Sequence, residues 1–137
     1  MGYRSARYIR FGQAAARLDR WLNGIPALLT AAFFALVAPL AGHSPWGAIR
    51  ATVRDGWPTR ENSLITEAAI AGALGIQLGG INFYEGKPVE IPRLGEPTRP
   101  LQPDRIWEAI RLMLLASLLA VVVALLARWM VRGYLAR

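Results

Sequence analysis

Six polar side chains stand within or beside strongly apolar sequence: Asp19, Asn23, Asn62, Glu67, Gln77 and Asn82. A polar group in such surroundings needs a partner or a purpose. These residues offer carboxylate and amide groups, which can cap helices and pair with arginines or can serve a site. Zero Cys excludes disulfides and thiolate zinc, and one His supplies neither an imidazole cluster nor a two-His catalytic pair. That residue, His43, follows an apolar run beside Ser44 and Pro45 and reads as an interface residue rather than a ligand. The run GALGIQLGG at 72–80 superficially resembles a phosphate loop, but no strand is expected before it and no Lys-Ser/Thr follows. Composition and spacing thus give a carboxylate–amide set and no reaction.

Helices must position that set. The 137 residues are 54% hydrophobic and 18% charged, too little polar surface for an ordinary soluble globule. The net charge of +7 comes from the two ends: five Arg against Asp19 before residue 21, and three Arg with no acid after residue 127. Eight basic and eight acidic residues balance in the middle. Nucleic-acid binding would spread the excess along an exposed polar face, whereas these arginines abut apolar runs, as at membrane ends; no nucleic-acid partner is expected.

Ile25–Gly42 (IPALLTAAFFALVAPLAG) has the length and apolarity of a spanning helix, with Pro26 in its first turn and Pro39 and Gly42 at its exit. A cleaved signal peptide is the alternative, disfavoured by the length of the run and the lack of a small-x-small cleavage site. The second run, Leu112–Ala127, lies between Arg111 and Arg128, whose side chains can snorkel to make up its short length. Trp21 and Trp46 bracket the first run, and Trp107 and Trp129 the second, where amphipathic rings favour the headgroup level. A buried core helix is the alternative for this second run.

Asn62–Gly80 reads as a helix rich in small residues that lets another backbone approach closely. From Phe83 to Pro103 the proline spacing suggests an extended, solvated strap. The expected fold is therefore all-α: a helical integral membrane protein with two spanning helices, amphipathic or re-entrant helices and a Pro-rich extended strap. Its single membrane domain divides into an interfacial helix (1–24), a membrane helix (25–42), a helical connection with the Gly-rich helix (46–82), the strap (83–103), and an amphipathic helix running into the second span (104–132).

The segments MGYRSARYIRFGQAAARLD, NGIPALLT, ITEAAIAGALGIQLGGINFYEGKPVEIPRLGE and IRLMLLASLLA together resemble the C-terminal part of the CobD/CbiB family, the adenosylcobinamide-phosphate synthases of cobalamin biosynthesis. The resemblance covers nearly the whole chain, with order and spacing in agreement. It implies a multi-pass enzyme of the bacterial or archaeal cytoplasmic (inner) membrane that joins adenosylcobyric acid, a corrinoid, to aminopropanol phosphate through an amide bond, with ATP and Mg²⁺. Such a reaction must hold metal-bridged phosphates, stabilise charge on the transferred group and orient an amine.

On that resemblance Asp19 and Glu67 would be the catalytic and metal-binding carboxylates, because acidic and amide oxygens suit Mg²⁺. Asn23 and Asn62 would add amide oxygens, and Arg4, Arg7 and Arg17 would face phosphate or corrin carboxamides. Gln77, Gly79, Gly80, Asn82 and Tyr84 would lie along the substrate, where glycine leaves backbone exposed. The chain departs from the family pattern at Arg20 and Leu28, where an acid and a base are both missing, and at Pro58–Glu61, where a His and a Ser-Pro are usual. Family chains are more than twice as long, and Met1 matches an internal methionine. The chain is thus expected to be a fragment, a miscalled start or half of a split protein, inactive alone, with the N-terminal part or other cobalamin-assembly enzymes as partners beside membrane lipid.

The positive-inside rule places both termini in the cytoplasm and residues 43–111 outside if only two spans exist, which would separate Asp19 from Glu67. Either Ile25–Gly42 enters and returns, or the Gly-rich helix re-enters, or one carried-over motif does not hold. A non-catalytic scaffold derived from the family is the competing function, favoured by the departures and opposed by retention of Asn62, Glu67 and GALGIQLGG. An unrelated basic peptide binding anionic lipid would explain the arginines and little else.

Overall fold

The computed structural model describes residues 9–59 and 61–135. Helix α1 (Ile9–Val37) runs without a break from the basic segment into the apolar one. Pro26 therefore lies inside it rather than in a first turn, and one turn later the Thr30 hydroxyl donates to the Pro26 carbonyl (2.8 Å). A 3₁₀ turn (Ala38–Ala41) then ends on Gly42 in the left-handed region, so Pro39 and Gly42 do mark the exit. Ser44 caps α2 (Pro45–Ala51), its hydroxyl accepting from the Gly47 N–H at 3.0 Å. The chain continues through a π-helical turn (Thr52–Gly56) into the single turn α3 (Trp57–Thr59), and then α4 (Asn62–Leu74) begins.

Here the structure corrects the all-α expectation. The helix expected to reach Gly80 stops at Leu74, because Gly75 takes the left-handed conformation and its N–H returns to the Ala71 and Gly72 carbonyls. Strands β1 (Leu78–Tyr84) and β2 (Lys87–Leu94) follow as an antiparallel hairpin. Glu85 and Gly86 both have positive φ (51° and 77°), the requirement of a two-residue hairpin turn whose twist matches the strands. Pro88 and Pro92 lack N–H donors, yet β2 accommodates them because each strand of a two-stranded sheet has one unpaired edge. The first part of the expected strap is thus a strand, and only the stretch from Gly95 to Pro103 connects without regular structure.

Helix α5 (Asp104–Leu135) closes the chain. The α4 N-terminus lies at the level of Gly24, where an added Cβ would sit 3.6 Å from Asn62 Oδ1, and at the other end the Ser44 N–H donates to the Ala73 carbonyl (3.1 Å). Helices α1 and α4 therefore run parallel, with α2, the π turn and α3 returning between them. Helix α5 starts beside the α1 exit and packs back along α1 through Leu112 and Ala116. The core is built of small residues: Ala27, Ala31 and Ala35 of α1 meet Ile65, Ala69 and Ala73 of α4. Two described helical stretches, Arg17–Ala41 and Asp104–Leu135, are long and apolar enough to cross a membrane. Most of the second is exposed, with Leu114, Leu118, Val121, Leu125 and Leu126 all facing outward.

Helices α2 and α4 meet backbone to backbone. A Cβ on Gly47 would lie 2.3 Å from the Gly72 carbonyl oxygen, and one on Gly72 would lie 2.1 Å from the Gly47 oxygen. Both partners are main chain, so neither can swing aside. Gly72→Ala is expected to destabilise the chain by about 1–3 kcal/mol or more, the cost of overpacking, whereas Gly133→Ala, which meets open space, should not. Equal thermal midpoints of the two variants in detergent would contradict the crossing.

Candidate functional site

The carboxylate–amide set divides between two faces of α4. Asp19 and Asn23 are one helical turn apart on α1, and the Asn23 amide donates to Asp19 Oδ1 at 2.9 Å. Asn62 opens α4 beside Gly24, so the parallel packing brings Asp19, Asn23 and Asn62 to one end of the helix pair. Arg17 is exposed near that end, while Arg4 and Arg7 lie outside the described residues. Glu67 is not part of this group: at 100° per residue it projects roughly opposite the Ile65–Ala69–Ala73 seam facing α1, and it is exposed.

The glycine-rich segment has a different use from the expected one. Gly79 approaches β2, where an added Cβ would be 2.1 Å from the Pro92 carbonyl, and with Gly80 it forms the irregularity in the hairpin register. The Gly75 carbonyl accepts from the Arg99 N–H (2.7 Å) and the Thr98 hydroxyl (2.9 Å). The close backbone approach foreseen for a substrate is thus made by the protein's own chain at Gly75 and Gly79. Gln77 precedes β1 half-buried, Asn82 is exposed on it, and Tyr84 ends it.

For Mg²⁺ the donors fit only in part. Among the described residues no three His, Cys, Asp or Glu side chains gather as a metal cage. One carboxylate with neighbouring amides suits an Mg²⁺ that keeps waters and takes its remaining ligands from substrate phosphates. Asp19 with the adjoining Asn23 amide is that kind of donor pair, and Asn62 lies at the same end of the helices.

A concavity that the sequence did not indicate lies at the opposite end of the helix pair. A cleft of about 630 Å³ is lined by His43, Ser44, Trp46, Gly47, Arg50 and Arg54 on one side, Gly72–Gly75 at its floor, and Glu96, Thr98, Arg99, Glu108 and Arg111 opposite. Trp46, Arg50 and Arg54 recur every four residues, a one-face helical stripe that was legible but was masked by the balanced charge of the middle segment. Arg54 donates to both oxygens of Asp55 (2.6 and 2.7 Å) and also pairs with Glu96. Asp55 Oδ2 accepts from the Gly95 N–H (2.8 Å), tying the end of β2 to the π turn. Glu108 receives both Arg99 (3.1 and 3.3 Å) and Arg105.

The Arg54 guanidinium bonded to Asp55 holds that carboxyl below its usual range, with the Gly95 N–H adding to the effect against partial burial. The pairing with Asp55 and Glu96 in turn raises Arg54. Burial pushes His43 below the usual imidazole range; Glu108 opposes this, and Arg99, Arg105 and Arg111 reinforce it.

The geometry defines a chain of closely packed apolar helices with a carboxylate–amide group at one end and an arginine-lined cleft at the other. The family model described as CobD/CbiB protein matches residues 1–113, and the chain belongs to that family. A cobalamin biosynthesis protein CobD of Geobacter metallireducens is 50% identical over 125 residues, 90% of this chain and 39% of the relative. CobD of Desulfotalea psychrophila is 40% identical over 97% of the chain and 41% of its own length, and CbiB of Salmonella typhimurium is 40% identical over 93% and 40%. The chain therefore spans about two fifths of the length of these relatives. No solved structure matches it.

Because Asp55 is held low, its stabilising effect is fully present above the ordinary carboxylate range and is lost as pH falls through its depressed value in the folded chain. Asp55→Asn should be less stable than the parent at neutral pH, and the gap should narrow on acidification. Unfolding midpoints measured from pH 7 to pH 3 would refute the assignment if the gap stayed constant.

Proposed function

We propose that this chain is a membrane-embedded portion of a cobalamin-assembly synthase, the ATP-dependent enzyme that joins adenosylcobyric acid to aminopropanol phosphate to give adenosylcobinamide phosphate. The observation that carries the reading is that Asn62 opens α4 at the same end of the α1–α4 pair as the hydrogen-bonded Asp19–Asn23 pair, which is distant from it in sequence. A mere anchor has no need of it. In this reading Asp19, oriented by the Asn23 amide, and Asn62 would hold Mg²⁺ together with substrate phosphates, and Arg17 would face the phosphate charge. The metal, when bound, would neutralise charge on the transferring phosphoryl group. Placement of the site near Gly24 would leave part of it shielded by the apolar helices, strengthening each electrostatic contact.

The membrane reading rests on two long apolar helices and on the five tryptophans, all of them exposed. Antiparallel α1 and α5 would place both arginine-rich termini and the Asp19 group on the cytoplasmic side, where ATP is found, and the arginine cleft on the other. The parallel course of α4 beside α1 supports the version in which the glycine-rich helix re-enters. Departures at Arg20, Leu28 and Pro58–Glu61 favour the scaffold alternative, and the same assay separates the two.

Co-expression with the N-terminal part of the Geobacter relative should yield adenosylcobinamide phosphate from the two substrates, while the chain alone should not. Asn62→Ala or Asp19→Asn should lower that turnover by about 10²-fold, the loss expected when a group acting in the transition state is removed. Failure of the complemented pair to turn over would leave the scaffold reading in place. Topology can be checked directly, since the chain has no Cys: a cysteine at Thr98 should react with an impermeant maleimide added outside spheroplasts, and one at Gly133 only after lysis. The reverse pattern would reject the orientation.

A further inference from the structure

We propose that the arginine-lined cleft is a binding site for a phosphate monoester, its head group held by Arg50 and Arg111 beside His43 and its organic body lying over Trp46. Four guanidinium groups line the cleft against two carboxylates, Glu96 and Glu108. Arg54 is engaged by Asp55 and Glu96, and Arg99 by both oxygens of Glu108. Among the described residues Arg111 makes no ion pair, and Arg50 only approaches Glu96 at 3.6 Å with its side chain 60% exposed. Two guanidinium groups thus remain with their forks available, and the surplus of two positive charges matches a phosphate monoester dianion better than a single carboxylate.

The cleft is also too large for an inorganic ion, since about 630 Å³ is the size of a small-molecule site. Trp46 is 69% exposed at its rim and offers a flat apolar face for the rest of the ligand. Gly47 and Gly72 close the bottom of the cleft main chain against main chain, so a ligand rests above that crossing. His43 lines the cleft with its Nδ1 buried and without a hydrogen-bond partner, so a bound anion acts on the ring through its charge rather than through a bond to that atom. This inference stands on the cleft residues and not on the synthase reaction; the site can bind even if the chain is a scaffold.

A soluble organic phosphate and a lipid headgroup share this chemistry, and the lone His gives a direct reporter. The groups facing His43 are Glu108, Arg99, Arg105 and Arg111, with Arg50, Arg54 and Glu96 across the cleft. The His43 ring would be followed by NMR across pH, with the full chain in phosphatidylcholine nanodiscs, with added glycerol 3-phosphate or AMP, and in separate discs containing phosphatidic acid. A bound dianion should raise the titration midpoint of His43 by about one pH unit. A rise with the soluble esters identifies a soluble ligand, and a rise only with phosphatidic acid identifies a headgroup. Arg111→Gln and Arg50→Gln should weaken binding at least tenfold, Arg111→Lys should be intermediate, and Arg128→Gln should be unchanged. An unshifted His43 in both arms, or equal affinity in Arg111→Gln and parent, overturns the proposal. The midpoint of ligand-free Arg111→Gln, still below the ordinary imidazole value, shows that the variant has kept its fold.

Discussion

The contact between Gly47 and Gly72 governs the arrangement, because two helices can approach to main-chain distance only where both lack side chains. It sets α2 tight against α4, which in turn aligns α4 with α1 and brings Asn62 down to the level of Asp19 and Asn23. The same two glycines form the floor of the arginine cleft. One close approach thus bears on both ends of the helix pair. The alanine seam between α1 and α4 repeats the principle with slightly larger residues, with Ile65 packed among them.

Electrostatics then fix what the glycines leave loose. The stretch from Gly95 to Pro103 has no regular structure, yet it is held at its start and its middle: Asp55 and Arg54 grip Gly95 and Glu96, and Glu108 grips Arg99. Gly95 itself is wedged against the Ile76 carbonyl, where a Cβ would be only 2.3 Å away. A connection without its own secondary structure is therefore kept in place by groups on three other elements, and its charged residues become one wall of the cleft.

Much of this was legible in the residues. Apolar run length gave α1 and α5, Pro39 and Gly42 gave the α1 exit, and Asn62 gave the start of α4. The small residues of GALGIQLGG predict helix through Gly80, whereas Gly75 ends the helix and Glu85-Gly86 turns a hairpin. The proline spacing predicts extended chain from Phe83, which holds for Lys87–Leu94, but it gives no strand partner; Pro88 and Pro92 are tolerated there because the strand has an unpaired edge. The grouping of Asp19, Asn23 and Asn62 followed from family resemblance, while the separate position of Glu67 needed the helix phase, which spacing alone does not supply. The cleft as a whole is not legible because its lining comes from segments up to 70 positions apart, although the Trp46–Arg50–Arg54 stripe on one side is.

The π turn at Thr52–Gly56 bears on how this chain can vary in length. Gly47 and Gly56 both press on α4, the latter so closely that an added Cβ would fall 2.8 Å from Ile65 Cα. Nine residues of unbroken α-helix make two and a half turns and would send these glycines to opposite sides of the rod. The wider turn takes back part of that rotation. It acts as a phase slip, letting one rod present two glycines to the same neighbour. An inserted or deleted residue there would change the angle at which everything beyond it meets α4, even though the number of residues between Gly42 and Asn62 would hardly differ.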